Sequence, residues 1–170
     1  RLNEAVADLI AAHANTREFY HFHATGSYGY EWMPQLLREK GVDPKQYNQL
    51  RISEYIDDMD LCMAAADLVI CRAGAITLSE LCCCGKPSVL IPSPYVAENH
   101  QFHNAMALVN RDAAVMIEEK DLTGEKLWET VNTILSEPGR AEEIGKNAKA
   151  MAVLDANDRI YNIICEKAKK

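Results

Sequence analysis

The segment Asp67-Leu-Val-Ile-Cys-Arg-Ala-Gly-Ala-Ile-Thr-Leu-Ser-Glu80 concentrates residue types that can do chemistry. An apolar run leads straight into Gly74-Ala75, and helical spacing starts there. Small residues at such a turn let a ligand approach the backbone. The free N–H groups and dipole of a helix start then favour an anion such as phosphate. Glu80 follows about one and a half turns later, where a carboxylate can accept two hydrogen bonds from a ribose diol. The same residues equally describe a tight strand-to-helix turn with a solvated glutamate.

Two further segments have suitable chemistry. In Ser53-Glu-Tyr-Ile-Asp-Asp-Met59, Ile56 reads as the end of a strand, with a backbone N–H and C=O able to pair with a planar base edge. Asp58-Met59-Asp60 has the form of a D-x-D metal motif, but capping of the next helix by Asp57 or Asp58 is the simpler reading. The third segment is Pro92-Ser-Pro-Tyr-Val-Ala-Glu-Asn-His-Gln-Phe-His-Asn-Ala105. Asn99, His100, Gln101, His103 and Asn104 suit sugar hydroxyls, or are ordinary capping and surface polarity. His100 and His103 have i, i+3 spacing but no carboxylate partner nearby, so no metal site is expected. His21 and His23 alternate onto one strand face and read as structural. Arg72 can meet a phosphate or brace the loop, and bracing is preferred.

These segments need a scaffold, and periodicity supplies one. Helices are expected over 2–10, from Trp32 through Leu37 to Gly41 with Pro34 in the first turn, and over 58–65, 74–84, 99–109, 123–136, 138–152 and 156–169. Strands are expected over 18–24, 50–56, 68–71, 88–91 and 113–117. Short apolar strands alternating with helices imply an α/β fold: a Rossmann-like parallel sheet with helices on both faces. Such sheets bind ligands at the carboxyl ends of their strands, here after Ile56, Cys71 and Ile91. A Rossmann-like order of 3-2-1-4-5-6 makes 18–24 the second strand and 68–71 the fourth. Those two then flank a first strand that the sequence does not contain. The chain begins at Arg1 without a Met, which fits a piece of a longer protein.

Composition bounds the function. The 170 residues suit one domain over 1–170, closed by a helix at 156–170. Apolar residues make up 48%, enough for a core, and a net charge of -7 opposes general nucleic-acid binding. No run approaches the roughly 18 apolar residues of a membrane helix. The six cysteines, Cys62, Cys71, Cys82, Cys83, Cys84 and Cys165, lack zinc-finger spacing. They read as reduced thiols acting as small apolar residues.

Taken together and in order, the segments resemble the MurG family of GT-B glycosyltransferases. The matching text is Tyr55-Ile-Asp-Asp-Met59, then Ala66 to Glu80 in full, then Gly85-Lys-Pro87. Asn99-His-Gln101, Asn104-Ala105, Asp155-Ala156 and Arg159 follow. The resemblance runs over nearly the whole chain and implies the carboxyl-terminal, donor-binding half of such an enzyme. It implies that Ile56 contacts uracil through its backbone, and that Gly74, Ala75, Ile76 and Thr77 form the helix start at the diphosphate. Glu80 then holds the ribose, and Gln101, joined by His100, contacts N-acetylglucosamine.

The implied reaction is inverting transfer from UDP-N-acetylglucosamine to a lipid-linked muramyl-pentapeptide. It belongs to peptidoglycan synthesis, and so to the cell wall, cell shape and cell division. No cofactor or metal is implied, and no catalytic residue is expected in this half. The acceptor is expected on an amino-terminal half, with the whole enzyme cytoplasmic and peripheral on the inner membrane face. The family's first strand and Gly-rich phosphate loop are expected before Arg1. Cys82 to Cys84 stand where the family pattern has alanines. The alternatives are half of a split or glycolipid-forming transferase and a nucleotide-binding module without catalysis.

Overall fold

The computed structural model describes residues 1–14 and 19–168. Eight α-helices are present among these residues: α1 Leu2–His13, α2 Gly26–Glu39, α3 Met59–Ala65, α4 Ala75–Cys84, α5 His100–Val109, α6 Gly124–Ser136, α7 Arg140–Ala150 and α8 Ala156–Ala168. The strands are β1 His21–Ala24, β2 Leu50–Ser53, β3 Val69–Cys71, β4 Ser88–Leu90 and β5 Val115–Met116. Every pairing is parallel. No helix among the described residues is long and apolar enough to cross a membrane.

The strands form two pieces, β1-β2 and β3-β4-β5. Among the described residues β1 and β3 each pair on one side only. The break falls between β1 and β3. Parallel strands covered on both faces must divide their side chains between two cores, and those of the three-stranded piece do so. Ile70, Val89 and Val115 join the core of α1, α2 and α6, around Leu9, Ile10, Met33, Leu37, Leu127, Val131 and Ile134. Val69, Cys71, Leu90 and Met116 join the other, with Leu78 and Leu81 of α4, Ala105 and Leu108 of α5 and Ala148 of α7.

Several expected boundaries move. The first strand begins at His21, and Glu18 lies outside the described residues, as does Lys169. The second strand stops at Ser53 instead of running to Ile56. Thr25 and Gly26 take the carbonyls of Ser53 and Glu54 as the chains diverge, so the ladder ends before the apolar pattern does. Pro34 lies inside α2, which starts at Gly26 rather than near Trp32. That first turn is polar and glycine-bearing, which hid it from an apolar-stripe reading. Asp58 is the N-cap residue of α3 but makes no side-chain cap bond. Its carboxylate accepts two bonds from Arg51, at 3.1 and 3.0 Å, and these hold it below the usual carboxylate range.

The cysteines are all free. Cys82 is buried and Cys71 packs beside it in the second core, as small apolar residues would. Cys84 is exposed and does not fill that role. α4 ends at Gly85, left-handed at φ 64°, and α7 crosses close behind it. A Cβ at Gly145 would lie 2.5 Å from the Gly85 carbonyl oxygen. Gly145→Ala should therefore push α7 off α4 and cost about 1–3 kcal/mol, read as a lower urea midpoint.

The two strand histidines are structural. His23 Nε2 lies 3.1 Å from Asn3 Oδ1. Burial pushes its imidazole down to about 4, and the neighbouring His21 adds to the effect. Burial lowers His21 as well. A histidine depressed in the fold leaves the unfolded chain binding more protons between about pH 4 and 6.5. The stabilisation is complete above about 6.5 and is lost as pH falls to about 4, at up to roughly 3 kcal/mol for His23. Urea unfolding across that window should show stability rising with pH, and His23→Asn should flatten the slope.

Candidate functional site

β3 and β4 run parallel with Cys71 opposite Leu90, so the segments leaving them emerge on one edge. From β3 the chain passes Arg72 and the fully buried Ala73. It reaches Gly74, the N-cap of α4, at φ -69° and ψ 142° without a side-chain cap bond. The first intrahelical bond is Leu78 N–H to the Gly74 carbonyl, at 3.0 Å. The N–H groups of Ala75, Ile76 and Thr77 precede it and have no acceptor among the described residues. Only Thr77 Oγ1, at 3.9 Å, comes within 4 Å of where a Gly74 side chain would begin, and Ile76 is 78% exposed. This is an open, positively polarised helix end. Glu80 stands further along α4, exposed to solvent, roughly 9 Å from Gly74 along the axis.

From β4 the chain runs through Pro92-Ser-Pro-Tyr95 into α5. Two consecutive residues there, Glu98 at φ 53° and Asn99 at φ 50°, adopt the left-handed conformation. Gln101 Oε1 accepts the Ser93 N–H at 2.9 Å, closing the loop on itself. Asn104 Nδ2 donates to the Ala73 carbonyl at 3.2 Å, tying α5 to the turn before Gly74. His100 Nδ1 meets the Ala97 carbonyl at 2.9 Å, and its ring is exposed with that of His103. No group of three metal-ligating side chains occurs among the described residues.

Gly74, Ala75, Ile76 and Thr77 thus share a turn that Asn104 joins directly to the helix of His100 and Gln101. Ile56 is placed apart. It follows β2, buried at 7% exposure, in the loop before α3. Its N–H and C=O have no backbone partner among the described residues. No hydrogen bond among the described residues links it to the other two segments. α3 is nonetheless tethered to the far end of α4, because Lys86 Nζ donates to the carbonyls of Ala64 and Ala66 at 2.7 and 2.8 Å.

Arg72 braces the edge, as preferred from sequence. Its Nη1 donates to the carbonyls of Ile91 and Pro92, at 3.2 and 3.4 Å, and pairs with the Glu119 carboxylate. Glu119, in the 3-10 turn Glu119–Asp121 after β5, is only 8% exposed. Sequence reasoning missed it, since nothing local marks one acid in Glu118-Glu-Lys-Asp121 as buried. A cleft of about 310 Å³ opens beyond the Pro92 loop, against Arg1, Tyr95, Phe102 and Lys120. Neither Gly74, Thr77 nor Glu80 lines it, so the helix-start residues form an open surface, not part of that cleft.

The chain matches the family model described as "Glycosyltransferase family 28 C-terminal domain" over residues 1–160. It is similar to a protein of Acetivibrio thermocellus named "UDP-N-acetylglucosamine--N-acetylmuramyl-(pentapeptide) pyrophosphoryl-undecaprenol N-acetylglucosamine transferase". The identity is 46% over 163 residues, 96% of this chain and 43% of that protein. A protein of the same name from Halothermothrix orenii is 37% identical over 168 residues, 99% of this chain and 45% of that protein. This chain therefore spans less than half the length of these curated relatives. The crystal structure of Acinetobacter baumannii MurG matches with a TM-score of 0.80 at 26% identity, over 97% of this chain and 45% of that one. A structure of Anabaena Alr3699/HepE in complex with UDP and glucose matches at TM-score 0.57 and 20% identity, over 79% of this chain and 36% of that one, a likeness of fold alone. With its parallel strands, two-sided cores and carboxyl-edge helix start, and by the match over residues 1–160, the chain belongs to the glycosyltransferase family 28 C-terminal domain family.

Proposed function

We propose that this chain is the donor-binding half of an inverting N-acetylglucosamine transferase of the MurG type. Its donor is UDP-N-acetylglucosamine, and its acceptor is the lipid-linked muramyl-pentapeptide of peptidoglycan synthesis. The observation that carries this reading is the open amino terminus of α4, bonded through Asn104 to the helix of Gln101, in a chain 46% identical to a transferase of that name. The acceptor is met by a second half of the intact enzyme, peripheral on the inner face of the membrane. That location is supported by the undecaprenol in the relatives' name.

In this reading the diphosphate lies on the N–H groups of Ala75, Ile76 and Thr77, beside Gly74. Glu80 accepts the ribose hydroxyls. The backbone at Ile56 pairs with uracil, for which its N–H and C=O are free. Gln101, with His100, meets the sugar. The acceptor hydroxyl oxygen bonds to the anomeric carbon as the bond from that carbon to the phosphate oxygen breaks. UDP leaves with the electron pair, and the hydroxyl proton goes to a base outside these residues. The helix N–H groups lie where charge grows on the leaving diphosphate, which is what lowers the barrier.

Three outcomes are expected of the intact protein. Calorimetry should rank UDP above ADP and GDP, and equal affinities would remove the base-reading role of Ile56. A hydrogen bond to a charged group is worth about 1.5–3 kcal/mol. Glu80→Ala should therefore weaken UDP-sugar binding at least about tenfold with an unchanged melting curve, because the side chain is exposed. Gln101→Ala should impair UDP-N-acetylglucosamine more than bare UDP, and parallel losses would count against the sugar contact.

A further inference from the structure

The loop that Gln101 closes from α5 is held by a charge pair, Arg72 with Glu119. Arg72 leaves β3, its guanidinium reaches the Ile91 and Pro92 carbonyls after β4, and Glu119 follows β5. One cation therefore joins the carboxyl ends of three adjacent strands. A carboxylate as enclosed as Glu119 is costly without its partner, so the pairing is fixed and not one of several surface options. The carbonyl that Arg72 grips at Pro92 precedes Ser93 by one residue, and the Ser93 N–H is the group that Gln101 accepts. The loop between them contains Glu98 and Asn99, two non-glycine residues in left-handed geometry. Such a loop keeps its shape only when the surrounding structure holds it.

This arrangement decides the chemistry of Gln101. A backbone N–H can only donate, so the amide must turn its oxygen to Ser93. The amide NH2, with two hydrogens, is left facing away, and it has no acceptor among the described residues. We propose that Arg72 and Glu119 are positioning residues for the sugar end of the site, and that they fix Gln101 as a hydrogen-bond donor. The ligand group it selects is then an acceptor oxygen, a sugar hydroxyl or an amide carbonyl. This rests on the reading that Gln101 meets the donor sugar, and the experiment separates the two.

The test measures calorimetric binding of UDP and of UDP-N-acetylglucosamine to the intact protein and to Gln101→Ala, Gln101→Glu, Glu119→Gln, Arg72→Lys and the double variant Glu119→Gln/Gln101→Ala. Gln101→Glu keeps an acceptor for Ser93 and removes the donor. It should lose about tenfold in UDP-N-acetylglucosamine affinity, as Gln101→Ala does, with UDP affinity within about twofold. Glu119→Gln and Arg72→Lys should show the same sugar-selective loss. The double variant should be little worse than Gln101→Ala, since groups acting through one contact are not additive. Glu119→Gln is nearly isosteric, so it decides the question even where Arg72→Lys does not fold.

Wild-type affinity for the sugar nucleotide in Gln101→Glu would overturn the donor assignment. Equal loss of UDP and UDP-sugar in Glu119→Gln, or full additivity in the double variant, would overturn the positioning role. A Gln101→Ala variant without sugar selectivity would instead overturn the sugar contact on which both rest.

Discussion

Parallel pairing of β3 with β4 is the constraint from which the rest of this structure follows. A parallel pair cannot be closed by a hairpin, so each strand must be followed by a crossing helix. Both faces of the sheet are then covered, and both must be apolar. That accounts for the division of Ile70, Val89 and Val115 from Val69, Cys71, Leu90 and Met116. It also leaves the edges of the strands as the place where backbone groups reach solvent. At the carboxyl edge the chain turns from strand into helix, and it exposes the N–H groups of α4 there.

The missing side-chain cap on α4 is not in itself distinctive, because α1, α2, α3, α5 and α7 have none either. What sets α4 apart is its surroundings. It starts directly behind the half-buried β3, at glycine and alanine. Ala73 beneath it is fully buried and its carbonyl is held by Asn104. The turn is therefore fixed from below and bare above. Thr123, in contrast, caps α6 through its own hydroxyl at 3.1 Å, and that helix points an uninterrupted apolar face into the core.

What was legible in the sequence divides along the range of the interactions. β3, α4 and α6 follow from local periodicity, with Gly85 ending α4 as its position before Pro87 suggests. The end of β2 was misplaced because Tyr55-Ile56 continues the apolar pattern after the ladder has stopped. Only the departure of Thr25 and Gly26 from that ladder ends it, and this depends on a strand about 28 positions away. Glu119 is the extreme case. Its partner Arg72 is 47 positions distant, and no rule of spacing connects them. Base pairing by Ile56, a sugar contact by Gln101, an anion at the Gly74 turn and a ribose at Glu80 are all open readings of the residues themselves, and the family resemblance narrows them to uracil, N-acetylglucosamine, a diphosphate and the ribose of UDP.

The openness of the helix end bears on how such a surface can act. Charges in water attract weakly, and the same groups behind a layer that excludes water attract several times more strongly. Ile76, at 78% exposure, is a large apolar surface on the same helix turn as these donors. Covering it would remove water from the turn that carries the N–H groups of Ala75, Ile76 and Thr77. Closure over Ile76 would raise the electrostatic worth of that turn. In the proposed reading, a diphosphate that meets these N–H groups behind a cover that excludes water is stabilised more strongly than on the open face.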